Sequence, residues 1–286
     1  RVSILFMNEK IGVIDSGMGG LTVVRSLFLR NVPADIVYIG DNANVPYGNR
    51  PLDEIVELTL HMLEVLSERN IRIVAIACNT ISATIDRLEL FGEFSIVDII
   101  SPAARYLATC GESDIGLFGT EFTIGSGLHA KLASDLNPAV RIHGVPSRRL
   151  AALIDESIED ESAIREEISS MLAQLVALHP VHKVLLGCTH YPIVMDLFKS
   201  LAPEMEFIDP ADLQAKAVVE LLKKADWQSN LIKNESIENA EQAEGVLFDE
   251  LVRPSLEIIT SGTEEAYRTM LNKLGIPEAR RIEHLI

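Results

Sequence analysis

Two cysteines, Cys78 and Cys188, sit in matching local contexts. Each follows an apolar run that reads as a buried strand, and each precedes a helical pattern. The first run is Ile73-Val74-Ala75-Ile76, leading into Ala77-Cys78-Asn79-Thr80. The second is Val184-Leu185-Leu186, leading into Gly187-Cys188-Thr189-His190. A thiol at such a junction meets unpaired backbone N–H groups and the positive end of a helix dipole, both of which favour a thiolate. One such cysteine suggests a nucleophile. Two in equivalent places suggest a pair of acid/base groups.

The magnitudes set a condition on this pair. A thiol titrating near 8.5 is only a few per cent thiolate at neutral pH. Lowering it by about 1.5 units requires roughly 2 kcal/mol, whereas a helix terminus supplies about 0.3–1 kcal/mol. Neighbouring donors must contribute, and His190 and the Asn79 amide are the candidates. A metal site at Cys188 and His190 is rejected, because the two residues supply only two ligands and no Cys-x-x-Cys or His-x-x-x-His partner accompanies them. His190 reads instead as a proton partner of the thiol. Cys110 lies on a helical pattern and reads as a buried structural thiol.

The repetition extends beyond the cysteines. Ile11-Gly12-Val13-Ile14-Asp15-Ser16 resembles Ile115-Gly116-Leu117-Phe118-Gly119-Thr120, and Cys78 follows Gly12 by 66 positions while Cys188 follows Gly116 by 72. The chain therefore reads as two related α/β halves, each giving a strand-end hydroxyl and a strand-end cysteine. Asp15-Ser16-Gly17-Met18-Gly19-Gly20 lacks the spacing of a dinucleotide loop and the lysine of a P-loop. It is expected to admit a small anion such as a carboxylate. Pro46-Tyr47-Gly48, within the loop 41–50, is expected to close over a ligand with backbone and phenol donors.

These residues need strands to position them. Candidates are Gly12–Ile14, Ile36–Gly40, Ile73–Ala77, Ser95–Asp98, Ile115–Gly119, Val140–Gly144, Val184–Gly187, Glu206–Ile208 and Leu256–Thr260. Short apolar runs of this kind fit a parallel sheet covered on both faces. Helical spacing marks 51–68, 163–178 and 264–274. The expected fold is α/β, with two similar pseudo-symmetric domains of mainly parallel strands and the site in the cleft between them. Boundaries near Ser101-Pro102 and Asp209-Pro210 divide the chain into 1–100 plus 211–286, and 101–210. Residues 227–244 are polar and acidic, and read as an exposed excursion.

Bulk properties narrow the function classes. The chain has 286 residues, 48% apolar content and a formal charge of −17. That charge argues against nucleic acid or an anionic membrane as partner. Three cysteines without close pairs suggest no disulfide framework. The apolar run 2–7 is too short for a signal-peptide core, and no run reaches the roughly 18 residues of a membrane span. The expectation is a soluble cytoplasmic protein.

At these motifs the chain closely resembles the glutamate racemases of the aspartate/glutamate racemase superfamily. The matching pieces are 12–22, Pro46-Tyr47-Gly48, Ala77-Cys78-Asn79-Thr80, Gly119-Thr120 with Thr123, and Gly187-Cys188-Thr189-His190-Tyr191-Pro192. The resemblance implies a cofactor-independent, PLP-independent isomerase that interconverts L- and D-glutamate, the D form supplying peptidoglycan synthesis. Cys78 and Cys188 would be the bases on opposite faces of Cα, Cys78 acting on D-glutamate and Cys188 on L-glutamate. Asp15 and His190 would assist them. Ser16, Pro46, Tyr47, Gly48, Asn79, Thr80, Thr120, Thr123 and Thr189 would hold the substrate. A homodimer is also implied. The chain departs from the family where Val145-Pro146-Ser147-Arg148-Arg149 replaces a Cys-Pro element and where His129 replaces a tyrosine; either Asp155 or Glu156 is left as counterpart of a third carboxylate. The alternatives are a racemase for aspartate or several amino acids, a related decarboxylase or cis-trans isomerase, and a non-catalytic carboxylate-binding protein with two lobes.

Overall fold

A computed structural model describes residues 10–88, 94–157, 161–233 and 254–285. The chain opens with β1 (Lys10–Asp15), α1 (Leu21–Leu29), β2 (Asp35–Gly40), α2 (Leu52–Glu68), β3 (Ile73–Ile76), the short helices α3 (Asn79–Ser82) and α4 (Ile85–Leu88), β4 (Ser95–Asp98) and α5 (Ile100–Thr109). The second half follows with β5 (Asp114–Gly119), α6 (Glu121–Ser126), α7 (Leu128–Leu136), β6 (Arg141–Pro146), α8 (Leu150–Ser157), α9 (Glu161–Leu178), β7 (Lys183–Gly187), α10 (Met195–Leu201) and β8 (Glu206–Ile208). Then come α11 (Pro210–Lys233), β9 (Leu256–Thr260), α12 (Glu264–Leu274) and β10 (Arg281–His284).

Two parallel sheets result, ordered β10-β9-β2-β1-β3-β4 and β6-β5-β7-β8. The repeated order β2-β1-β3-β4 and β6-β5-β7-β8 is the inferred duplication at the level of topology. Both central strands carry the hydroxyl-ended motif, and both cysteines follow the strand beside it. Side chains alternate between the faces, as a pleated strand requires. Ile11 and Val13 of β1 enter one core and Ile14 the opposite one. Val184 and Leu186 of β7 enter one core and Leu185 the other. Each sheet is thus apolar on both faces, which explains the short unbroken apolar runs.

Some elements differ from the sequence reading. β6 is shifted to Arg141–Pro146. β10 is absent from the sequence reading; its residues, Arg281-Ile282-Glu283-His284, carry three charged or titratable side chains and lie on a sheet edge, with β9 as sole neighbour among the described residues. α11 continues to Lys233, so residues 227–233 are helical, while 234–244 lie outside the described residues, as does the run 2–7. Cys110 ends α5 and is partly exposed rather than buried, its thiol directed at the Leu107 carbonyl. Among the described residues no helix is long and apolar enough to cross a membrane.

Candidate active site

The carboxyl ends of parallel strands are where α/β sheets place ligands, because loops and helix amino ends converge there. Here the ends of the two sheets face one another across a cavity of about 140 Å³. That is small beside the roughly 300–1,000 Å³ of pockets for drug-sized ligands. Ser16 follows β1, Val45–Gly48 follows β2 and Cys78–Thr80 follows β3. From the other sheet come Thr120 after β5, the α8 residues Ala151, Ala152 and Asp155, and Gly187–His190 after β7. Both sulfurs line this one cavity. Of the residues expected to hold a ligand, Asp15 and Thr123 lie just behind the wall, and the rest form it.

Cys78 occupies the N-cap of α3, with extended backbone, and its carbonyl accepts the Ser82 N–H. Its sulfur lies 3.5 Å from Ser16 Oγ. Burial, with the nearby charge of Asp15, pushes the thiol up to about 12, against the pull of the Ser16 hydroxyl and the Ile81 N–H. The helix amino end alone does not overcome burial. A pKa raised this far favours the thiol form of Cys78 at neutral pH.

Cys188 has different company. Its sulfur lies 3.8 Å from His190 Nδ1, and His190 Nε2 lies 2.9 Å from Asp155 Oδ2. Neither Nε2 nor Asp155 Oδ1 has a partner in hydrogen-bonding geometry among the described residues. Ring and carboxylate are linked as a close ion pair. Burial works against a charged imidazole, but Asp155 and the Cys188 sulfur outweigh it and raise His190 well above the usual histidine range. The Cys188 sulfur, the His190 imidazolium and the Asp155 side chain thus stand in a row. Of the two acids left open by sequence, the structure brings Asp155 to the cavity. The side chain of Glu156 lies outside the described set.

The two sides are tied together. Asp15, fully buried, accepts the Thr189 hydroxyl at 3.1 Å and the Gly17 N–H at 2.9 Å. Burial raises its carboxyl above the usual range, opposed by His190, by the N–H groups of Gly17 and Gly20 and by Thr189. Ser16, not Asp15, is the group that touches the Cys78 sulfur. Thr80 lies 3.2 Å from the Thr120 hydroxyl and 3.4 Å from that of Thr123, and Thr120 donates to Thr123 at 3.0 Å. Three hydroxyls from two sheets thus meet at one edge of the site. The Asn79 amide stands apart: it is buried, and both its oxygen and its nitrogen lack a partner among the described residues. A buried amide with neither end satisfied costs about 1–3 kcal/mol or more, so its place in a cavity wall marks a site for a ligand offering both a donor and an acceptor.

Two expectations change. The turn 17–20 is absent from the cavity lining. Its glycines serve close approach instead: a Cβ on Gly19 would lie 2.7 Å from His190 Nδ1, so a side chain there would push the sheets apart. The Tyr47 phenol does not face a ligand; it donates to Asp41 at 2.8 Å, leaving the ring and backbone to form the wall. Gly48 meets the opposite sheet, where a Cβ would stand 2.6 Å from Thr120 Cβ. Val45, Ala151 and Ala152 also line the cavity; small apolar residues carry no chemical signal in a sequence.

The chain is similar to known racemases. A glutamate racemase of Streptococcus pneumoniae serotype 19F (strain G54) is 32% identical over 205 residues, covering 71% of this chain and 77% of that protein. Glutamate racemase isoform RacE1 from Bacillus anthracis superposes with a TM-score of 0.77 at 27% identity, covering 96% of this chain and 97% of the other. The glutamate racemase of Francisella tularensis subsp. tularensis SCHU S4, solved in complex with D-glutamate, gives a TM-score of 0.78 at 24% identity, covering 97% of each chain, and shares the fold. Residues 11–218 match the Asp/Glu/Hydantoin racemase family, and that stretch spans both halves of the duplicated sheet and every cavity residue; the chain belongs to this family of isomerases.

Proposed function

We propose that the protein is a cofactor-independent glutamate racemase using Cys188 and Cys78 as paired acid and base. The observation that carries this reading is the pair of sulfurs, supplied by equivalent strands of two sheets, that line one small cavity. Inverting a carbon centre without a carrier needs a base on one face and an acid on the other. With L-glutamate, the Cys188 thiolate, held beside the His190 imidazolium, takes the Cα proton. The Cys78 thiol returns a proton from the opposite side. With D-glutamate the roles reverse.

The wall suits an amino acid. Asn79 offers both donor and acceptor, and Ser16, Thr80, Thr120 and Thr189 offer hydroxyls. Among the described residues no Lys or Arg lines the cavity, so hydroxyls, the Asn79 amide and backbone N–H groups hold the carboxylates. Asp155 and the buried Asp15 give the α-ammonium group its counter-charge. Asp15 also keeps Cys78 protonated, as the acid for the L-to-D direction. The assignment of 1–100 with 211–286, and of 101–210, to two lobes closing on the substrate belongs to this proposal. So do a cytoplasmic homodimer and supply of D-glutamate to peptidoglycan synthesis, which rest on the resemblance.

The test is exchange in deuterium oxide. Each enantiomer of glutamate should acquire deuterium at Cα while converting to the other, as read by proton NMR and chiral chromatography. Binding without exchange in either direction would identify a carboxylate-binding protein. Faster exchange of aspartate than of glutamate would move the substrate to the shorter acid.

A further inference from the structure

The family match ends at residue 218, yet the segment 254–285 reaches the site. β9 pairs in parallel with β2, with Gly40 opposite Thr260. The end of β9 therefore lies beside the start of the loop that leaves β2, the loop that carries Tyr47 and Gly48 into the cavity wall. Three side chains of the later segment grip it. Ser261 donates to Asp41 Oδ1 at 2.7 Å and accepts the Ala43 N–H at 2.8 Å. Thr260 donates to the Gly40 carbonyl at 2.9 Å. Tyr267, fully buried on α12, places its hydroxyl 2.6 Å from Asn42 Oδ1 and 3.1 Å from the Gly17 carbonyl.

The grip is transmitted through Asp41. Its Oδ1 takes the Ser261 hydroxyl, and its Oδ2 takes the Tyr47 phenol at 2.8 Å and the Asn44 amide at 2.8 Å. One carboxylate thus joins the end of β9 to the cavity wall. Gly40 leaves the room this needs, since a Cβ there would stand 2.5 Å from the Gly17 carbonyl oxygen and closer still to the Tyr267 hydroxyl. Neither Ser261 nor Tyr267 touches the cavity.

We propose that Ser261 and Tyr267 are positioning residues that clamp the Asp41–Gly48 loop in its substrate-holding form, Ser261 acting through Asp41 on Tyr47 and Tyr267 through Asn42. The inference rests on the racemase reading. It makes the later segment a working part of the site rather than an extension of the sheet. The loop contacts the other sheet at Thr120, so its release opens the cavity from one side and weakens substrate binding before it alters proton transfer.

Ser261→Ala and Tyr267→Phe each delete one hydroxyl and keep the packing. Each should raise KM about two- to tenfold, the range expected of one lost hydrogen bond, with kcat held near that of the wild type. Enantiomers have equal free energy in water, so kcat/KM must fall equally in both directions. A role confined to folding would lower the active fraction, and hence kcat, while leaving KM in place; that outcome overturns the proposal. A second measurement is independent of turnover: the rate at which iodoacetamide labels Cys78 relative to Cys110, read by peptide mass spectrometry. Release of the loop should speed Cys78 labelling in both variants. Unchanged labelling would overturn the clamp itself, and faster labelling with unchanged KM would overturn its role in binding. If the wild type exchanges no Cα hydrogen, the racemase reading fails, and the labelling result still decides whether the clamp exists.

Discussion

The Cys78 side and the Cys188 side share one backbone design and differ in charge. Each sulfur follows the strand next to a central strand, and each faces the same cavity. Cys78 has a neutral hydroxyl within reach and a carboxylate nearby, and is pushed up to about 12. Cys188 has an imidazolium backed by a carboxylate. Burial and the Asp15 charge thus disfavour a Cys78 thiolate at neutral pH. The repeated topology sets the places of the two sulfurs; the residues around each place set its electrostatic surroundings.

The widest break comes from removing either sulfur. Cys78→Ser and Cys188→Ser should each lower kcat by at least about 10²–10⁴-fold, the contribution of a positioned acid or base, with unchanged far-UV circular dichroism and melting temperature. Retention of most activity by either variant would end the two-base account. Next in size is the row behind Cys188. Asp155→Asn removes the anion that holds the imidazolium, so His190 should lose its proton at lower pH, and the alkaline limb of kcat/KM should move down by about 1 unit or more. An unmoved limb would detach Asp155 from the proton chemistry. Smaller still is Ser16→Ala, which deletes a hydroxyl 3.5 Å from Cys78 and should cost about two- to tenfold in kcat/KM. Isotope effects give this loss a direction. Slowing the Cys78 step should enlarge the deuterium effect on kcat/KM for Cα-deuterated D-glutamate and shrink it for the L form. Equal changes for both would place the Ser16 hydroxyl outside the Cys78 step.

What the sequence revealed, and what it withheld, follows from how far each signal reaches. β1, β3, β5 and β7 were legible because each is a short apolar run buried on both faces, a local property. The duplication was legible because both halves repeat it at similar spacing. The cysteines were legible because strand ends are marked by where apolar runs stop. The Tyr47 phenol was misread, since its partner is fixed by Ser261 and Asp41, residues 220 positions apart. The glycine turn was misread because the side chains that forbid a Cβ at position 19 belong to Thr189 and His190, in the other sheet. Asp155 was one of two adjacent acids, and what brings it to the site is its contact with His190, 35 positions later in the chain. Local patterns place the sulfurs; contacts across the cavity set their surroundings.

A second pair of histidines sharpens the same lesson. His190 is buried beside a carboxylate and gains a proton. His129 is buried with neither ring nitrogen bonded among the described residues, and burial lowers it from 6.5 to about 4. For His129 the unfolded chain binds a proton between these values and the folded protein refuses it. Stability therefore rises with pH across that window and is lost as pH falls through it, by up to about 3 kcal/mol for a shift of this size. His129→Leu removes the refusal along with two unsatisfied ring nitrogens. The variant should be more stable than the wild type by about 1 kcal/mol at pH 7, and by about 2 kcal/mol more at pH 5, measured as urea midpoints at each pH. Titration of His190 is common to both proteins and cancels in the difference. Parallel loss of stability by wild type and variant from pH 7 to pH 5 would mean that His129 accepts a proton in the folded state. Burial without a partner would then fail to explain why this histidine differs from His190.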